Sequence, residues 1–304
     1  MYLRRLGTVL SKAGNAWIDD HAQSMGAALS YYTVFSIAPL LLIAISVAGL
    51  VFGRDAAQGA VVDQLQGLIG QTGAQAVQDL LRNVSKPSQG ILATITGVVV
   101  LVIGATSVFA ELQDDLNRIW QVPTPQKIAG WWAWLRTRIL SMGMIFAIGF
   151  LLLVSLAASA AFDAFAAWST SALAGWEPLA HAANFVVGFV LTTVLFAMIY
   201  RFMPQATIEW RDVGIGALVT AFLFSIGKTL IGLYIGKSAL ASGFGAAGSL
   251  AVLLAWVYYS AQIFLFGAEF TWAYAHAFGS RQVQGQEASA AAGAKTQQPA
   301  VPAR

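Results

Sequence analysis

Between Gly248 and Phe270 the chain reads GSLAVLLAWVYYSAQIFLFGAEF, 23 residues with one charged side chain. A helix rises about 1.5 Å per residue, and about 20 apolar residues cross the hydrocarbon of a bilayer, so this stretch is long enough to span one. It is not a plain lipid anchor. At about 100° per residue, Ala251, Ala255, Tyr258, Gln262 and Glu269 share one face. A face of small, hydrogen-bonding and acidic residues avoids lipid and packs against other helices or lines a cavity.

The remainder of the chain must supply those neighbours. Of its 304 residues 58% are hydrophobic and 10% charged, where a soluble domain carries about 25% charged residues. The fold class expected is all-α: a polytopic membrane protein with six transmembrane helices and short amphipathic interfacial helices. The spans fall at about 25–52, 89–110, 139–162, 181–203, 213–235 and 244–272, within a membrane domain of residues 24–278. Before it, residues 1–23 place Leu3, Leu6, Leu10 and Trp17 at near-helical spacing among basic residues. They suit an amphipathic cytoplasmic segment on the membrane surface or an ordinary solvated lead-in helix. No compact apolar core with a cleavage site stands there, so a removed signal peptide is not expected. Residues 279–304, rich in Ala, Gly, Gln and Pro, read as a disordered cytoplasmic tail.

Orientation follows from the basic residues. With a cytoplasmic N-terminus, the inside segments hold 12 Lys and Arg and the outside segments hold Arg54, Arg82, Lys86 and Lys237. The asymmetry places both termini in the cytoplasm of an inner membrane. The long outer loop 53–88 repeats Val61, Leu65, Leu68, Ile69 and Val77, Leu80, Leu81, Val84 helically, as two short helices capping the bundle would. In the inner loop, Trp131, Trp132 and Trp134 beside Arg136 and Arg138 form an interfacial belt. Two halves of three spans would lie in opposite orientations, as in inverted-repeat transporters, although no sequence repeat relates them.

Several residues stand out for chemistry. Tyr32, Ser36, Pro39 and Ser46 fall on one face of the first span, and Pro39 deprives the Phe35 carbonyl of its helical partner. That leaves either a kink satisfied by neighbouring helices or a polar cavity. Lys228 shares a face with Gly214, Ala217, Ala221 and Gly232. It either points into the bundle, toward Ser36, Thr94, Thr96 and the Phe35 carbonyl, or snorkels to the outer surface. A buried cation without an acid at its depth suits an anionic ligand. Tyr258, Gln262 and Glu269 extend this candidate transport path, with Glu269 also readable as an interfacial acid bonded to a helix terminus. Asp114, Asp115 and Arg118 form a candidate cytoplasmic network, with Asp114 and Arg118 spaced to pair. The three histidines are scattered and there is no cysteine, so metal-ligand spacing is missing and no metal or other cofactor is expected. The basic residues mark topology and form no nucleic-acid patch.

The stretches AALSYYTVFSIAPLLL (27–42), GATSVFAELQDDLNRIW (104–120), YRFMP (200–204) and GAAGSLAVLLAWVYYSAQIFLFGAEF (245–270) resemble the YihY/virulence factor BrkB family of bacterial inner-membrane proteins. With their spacing they cover about residues 20–275. The resemblance implies a six-span fold and a role in envelope integrity. Some family members carry a ribonuclease BN label, but no residues here supply a nuclease site. The functional expectation is movement of a lipid or other anionic envelope solute, with membrane lipids as partners and no enzymatic activity. A non-transporting membrane scaffold is the alternative, and a membrane-associated ribonuclease the third reading.

Overall fold

The computed structural model describes residues 2–53, 91–123, 177–237 and 248–281, with scattered positions between 55 and 81 and at 143. Six long helices lie in them: α1 (Tyr2–Asp19), α2 (Ala22–Phe52), α3 (Ile91–Ile119), α4 (Glu177–Phe202), α5 (Trp210–Lys237) and α6 (Gly248–Ala277). Among the described residues there is no strand. Helices α2, α4, α5 and α6 are apolar nearly all round, the pattern of helices surrounded by protein and lipid.

Three of these helices are long and apolar enough to cross a membrane, over Phe185–Phe202, Trp210–Tyr234 and Leu250–Ala277. Helix α2 makes a fourth if its two halves, Ala22–Ile37 and Leu40–Ser46, bent by 45°, count as one span. The bend falls where Pro39 removes a helical hydrogen bond and crowds the preceding turn. Residues 91–110 of the expected second span fall in α3, which is not one of these candidate spans. The expected third span, the tryptophan belt, the loop 163–176 and the tail beyond Arg281 lie outside the described residues.

Helix α6 is the hub: it packs against α5, α2 and α1 and more lightly against α3, while α2 also meets α3 and α4 meets α5. The main core joins Phe196 and Tyr200 of α4, Val213 and Ala217 of α5, Phe264 and Leu265 of α6, and Leu116 and Ile119 of α3. A second cluster sets Val34 and Ile45 of α2 and Leu253 and Val257 of α6 against Val77 and Leu81, with Val61 and Leu65 beside them. Of the apolar positions singled out in the loop 53–88, Val61, Leu65, Val77 and Leu81 thus pack on the α2–α6 pair, and Leu68, Ile69, Leu80 and Val84 lie outside the described residues.

Helix α1 is strongly one-sided, as its sequence indicated, and its apolar residues divide: Leu6 and Leu10 are exposed. Val9 and Ala13 are buried against Phe270 and Ala273 of α6, and Trp17 packs on the main core.

Candidate functional site

The tightest joint in the bundle lies between α5 and α6, and it is built reciprocally. A Cβ on Gly216 of α5 would run into Thr271 of α6, and one on Gly267 of α6 into Thr220 of α5 and the Tyr200 hydroxyl. Each Gly-x-x-x-Thr pair admits the other helix's threonine, and both threonines return their hydroxyls to their own helix, Thr220 to Gly216 O (2.8 Å) and Thr271 to Gly267 O (2.7 Å). Tyr200 closes the joint from α4. Its hydroxyl donates to Phe264 O at 2.7 Å and lies 3.1 Å from Thr220 Oγ1.

That joint decides where Lys228 goes. Gly216 and Gly227 stand 11 residues apart, so they fall on nearly the same azimuth, and Gly227 abuts Tyr259 and Ile263 of α6. Lys228 is one residue past this line and is exposed. The inward expectation is corrected: Ala217 and Ala221 are buried, but Gly214 and Gly232 have open space around them. Small residues shared its azimuth without all marking the contact. Ser36, named as its partner, is buried on α2, which meets α6 through Leu253 and Val257, positions on a different face from Tyr259 and Ile263. Tyr32 and Tyr258 are both exposed, and Pro39 sits at the bend of α2. The structure therefore does not gather the predicted path into one site.

It does gather the lower half of the α6 stripe. The corner between α1 and α2 turns at His21, whose φ of 57° is left-handed. Gln262 reaches this corner, donating from Nε2 to Ala22 O at 3.4 Å, with its amide against Gly26. Glu269, 1% exposed, faces Asp19 and Asp20, and Asp20 is within side-chain hydrogen-bonding reach. Gln262 Oε1 and Glu269 Oε1 are buried with no hydrogen-bond partner.

The ends of α3, α4, α5 and α6 are tied by polar side chains. Gln113 of α3 donates to Met203 O (3.0 Å), and Asn117 accepts from Gln205 N (2.7 Å). Asp212 accepts from Ser280 N (3.0 Å) and Ser280 Oγ (2.7 Å). The Arg281 guanidinium lies 5.5 Å from the Trp120 ring centroid and donates to Thr207 O. Residues 279–281, assigned from sequence to the disordered tail, are thus fastened to the bundle. The candidate network on α3 splits. Asp114 and Arg118 are exposed, whereas Asp115 is buried, which corrects the expectation of a solvated group. Burial pushes the Asp115 carboxyl up to about 7, the neighbouring Glu111 and Asp114 add to the rise, and Arg118 opposes it. Burial also raises Glu111 and Asp114.

Two grooves flank α5. The larger, about 680 Å³, lies between α1, α5 and α6 and is walled by Trp17, Ile226, Gly227, Tyr259 and Phe266, with Ser11 and Asn15 of α1 at its edge. The smaller, about 430 Å³, lies between α4 and α5 over Phe185, Phe189 and Phe222. Ile226 and Leu230 line both and form the ridge between them. Among the described residues no group of three or more His, Asp and Glu side chains is placed to hold a metal ion.

A helical bundle with spans of this length and a central α6 agrees with the stretches that suggested a family. The sequence matches the virulence factor BrkB family over residues 14–292. The chain belongs to that family. Its relatives include a UPF0761 membrane protein of Alcanivorax borkumensis, 27% identical over 257 residues (83% of this chain, 56% of the relative). A second, from Pseudomonas paraeruginosa, is 28% identical over 260 residues (83% and 59%). A third, from Ralstonia nicotianae, is 27% identical over 260 residues (82% and 55%). The chain spans a little over half the length of these relatives. They are named as membrane proteins, not as enzymes. No solved structure matches this chain.

Proposed function

We propose that this is an inner-membrane protein, with both termini in the cytoplasm, that moves an envelope lipid or another anionic amphiphile. The observation that carries the reading is the larger groove. Its volume of about 680 Å³ lies in the range of small-molecule sites, about 300–1,000 Å³. Two of its walls, α5 and α6, are helices of membrane-spanning length, so the medium at its mouth is acyl chain. Its body is apolar at Ile226, Leu230 and Phe266, and its α1 edge is polar at Ser11 and Asn15. An apolar body with a polar end suits an amphiphile. Lys12 follows Ser11, and Arg5 lies two turns earlier on the same side, both exposed. These charges, and not Lys228, which is not among the groove's lining residues, support an anionic head group.

Filling the groove tests this. Ile226 is 45% exposed, so Ile226→Trp adds bulk at the ridge without entering the core. Flux of an anionic phospholipid in vesicles holding the full chain is expected to fall at least about tenfold, the equivalent of about 1.4 kcal/mol, with the unfolding midpoint unchanged. Unchanged flux, or no flux from the parent protein while the envelope phenotype persists, would leave the scaffold reading in its place.

A further inference from the structure

We propose that the corner between α4 and α5 binds the anionic head group of a phospholipid, with Arg201, Trp210 and Arg211 as its seat. This goes beyond lipid movement and stands on residues outside both grooves. The two candidate spans that meet here end at Phe202 and begin at Trp210, so both rings lie where hydrocarbon gives way to head groups. Phe202 is 59% exposed and Trp210 54%, although the two rings meet edge to face with centroids 5.8 Å apart. The Arg201 guanidinium carbon stands 5.7 Å from the Trp210 ring centroid, and Arg211, the residue after Trp210, is exposed. A guanidinium presents its N–H donors in a fork that matches phosphate oxygens, and stacking on a ring holds that fork in place.

The corner is fixed from within. Met203 O accepts from Gln113, Gln205 N donates to Asn117, and Thr207 O accepts from Arg281. Met203, Pro204 and Ile208 are buried. The connection 203–209 is thus tied to α3 and to the segment after α6, which leaves Phe202 and Trp210 on its outer side in a set geometry. A site held in this way loses little freedom when a ligand settles on it.

Charge and depth favour a lipid over a soluble anion. Arg201 and Arg211 share the corner with one exposed acid, Glu209. The other acid, Asp212, is 1% exposed and accepts from Ser280. The balance left at the surface is positive. Val194 and Leu218 are exposed apolar residues, each eight positions along its helix from the corner, or about 12 Å at the helical rise. One leaflet holds about 15 Å of hydrocarbon, half of the bilayer core. The acyl chains of a lipid whose head group sits at the corner would therefore run past both. A soluble anion would use the arginines and leave the exposed rings and these residues without a partner.

The chain has no cysteine, so Gln205→Cys, at an exposed position of the corner, carries a single benzophenone label. The labelled full chain is placed in nanodiscs of equal parts phosphatidylglycerol and phosphatidylcholine and crosslinked by light. Crosslinks are expected to favour phosphatidylglycerol at least about tenfold. The same label on Phe185→Cys, at the other end of α4, should show no such preference. Arg201→Gln and Arg211→Gln should each lower the preference at the corner about fivefold, the share of one basic residue near a membrane surface. Their unfolding midpoints in phosphatidylcholine should match the parent's. Equal yields of the two lipids at Gln205→Cys, or a preference that survives the loss of both arginines, overturns the proposal. So does a preference abolished by added glycerol phosphate, which would assign the arginines to a soluble anion. If one arginine variant fails to fold, the other decides alone. The label reads the corner and not flux, so this result and the groove reading can fail separately.

Discussion

Asp115 keeps 6% of its surface exposed and titrates at about 7 because burial outweighs the help it receives from Arg118. An unfolded aspartate titrates at about 3.9, so the folded chain binds this proton more tightly. The stability that results is complete below about pH 4 and is lost as pH rises to about 7. Replacing Asp115 with Asn is expected to remove that decline and to stabilise the protein at neutral pH by about 2 kcal/mol. Unfolding followed across this pH window checks it, and a decline of the same size in the variant would assign the titration elsewhere. The burial itself was readable in the sequence. Leu112, Asp115, Leu116 and Ile119 share a helical face, and the last two are in the core. The charges around Asp115 suggested solvent because Glu111, Asp114 and Arg118 all lie within one helical turn of it. The meeting of Gln262 with Ala22 was not readable, since 240 positions separate them in the chain.

The α5–α6 pair illustrates what a helix announces about itself and what it does not. Gly216-x-x-x-Thr220 and Gly267-x-x-x-Thr271 are small-residue patterns visible in either helix alone. That each fits the other's threonine is a fact about two helices together. Gly267→Ala is expected to cost about 1–3 kcal/mol, because the new methyl meets Thr220 and Tyr200 in a closed joint. Gly216→Ala should cost a similar amount and recover in part when combined with Thr271→Ala, which vacates the space. Unfolding in detergent measures both; additive losses in the double variant would show that these two residues do not share a contact. The contact of Val9 and Ala13 of α1 with α6 was hidden for a related reason. An apolar stripe fits a lipid surface and the flank of another helix equally well, and nothing within 18 residues distinguishes the two. For Lys228 the sequence left pointing inward and snorkelling open: it shares an azimuth with Ala217 and Ala221 but stands a full residue off the line through Gly216 and Gly227, and it is exposed.

Long apolar runs made the helical, membrane-embedded class plain from composition, because backbone polar groups in hydrocarbon must be satisfied within helices. The order of neighbours around α6 was not readable, since hydropathy carries no information about which helix meets which. The expected topology rests on the basic residues alone and is testable as such. Reporter fusions at Arg4 and Arg281 are expected to read out in the cytoplasm, and one at Lys86 on the opposite side. An exported Arg281 reporter would remove the six-span arrangement. The glycine–threonine joint also has a mechanical consequence. Helices whose backbones touch through reciprocal notches cannot slide past each other without colliding, and close-packed interfaces switch between discrete arrangements instead of deforming smoothly. With Tyr200 pinned into the same joint, a shift of α5 or α6 would have to carry α4 with it.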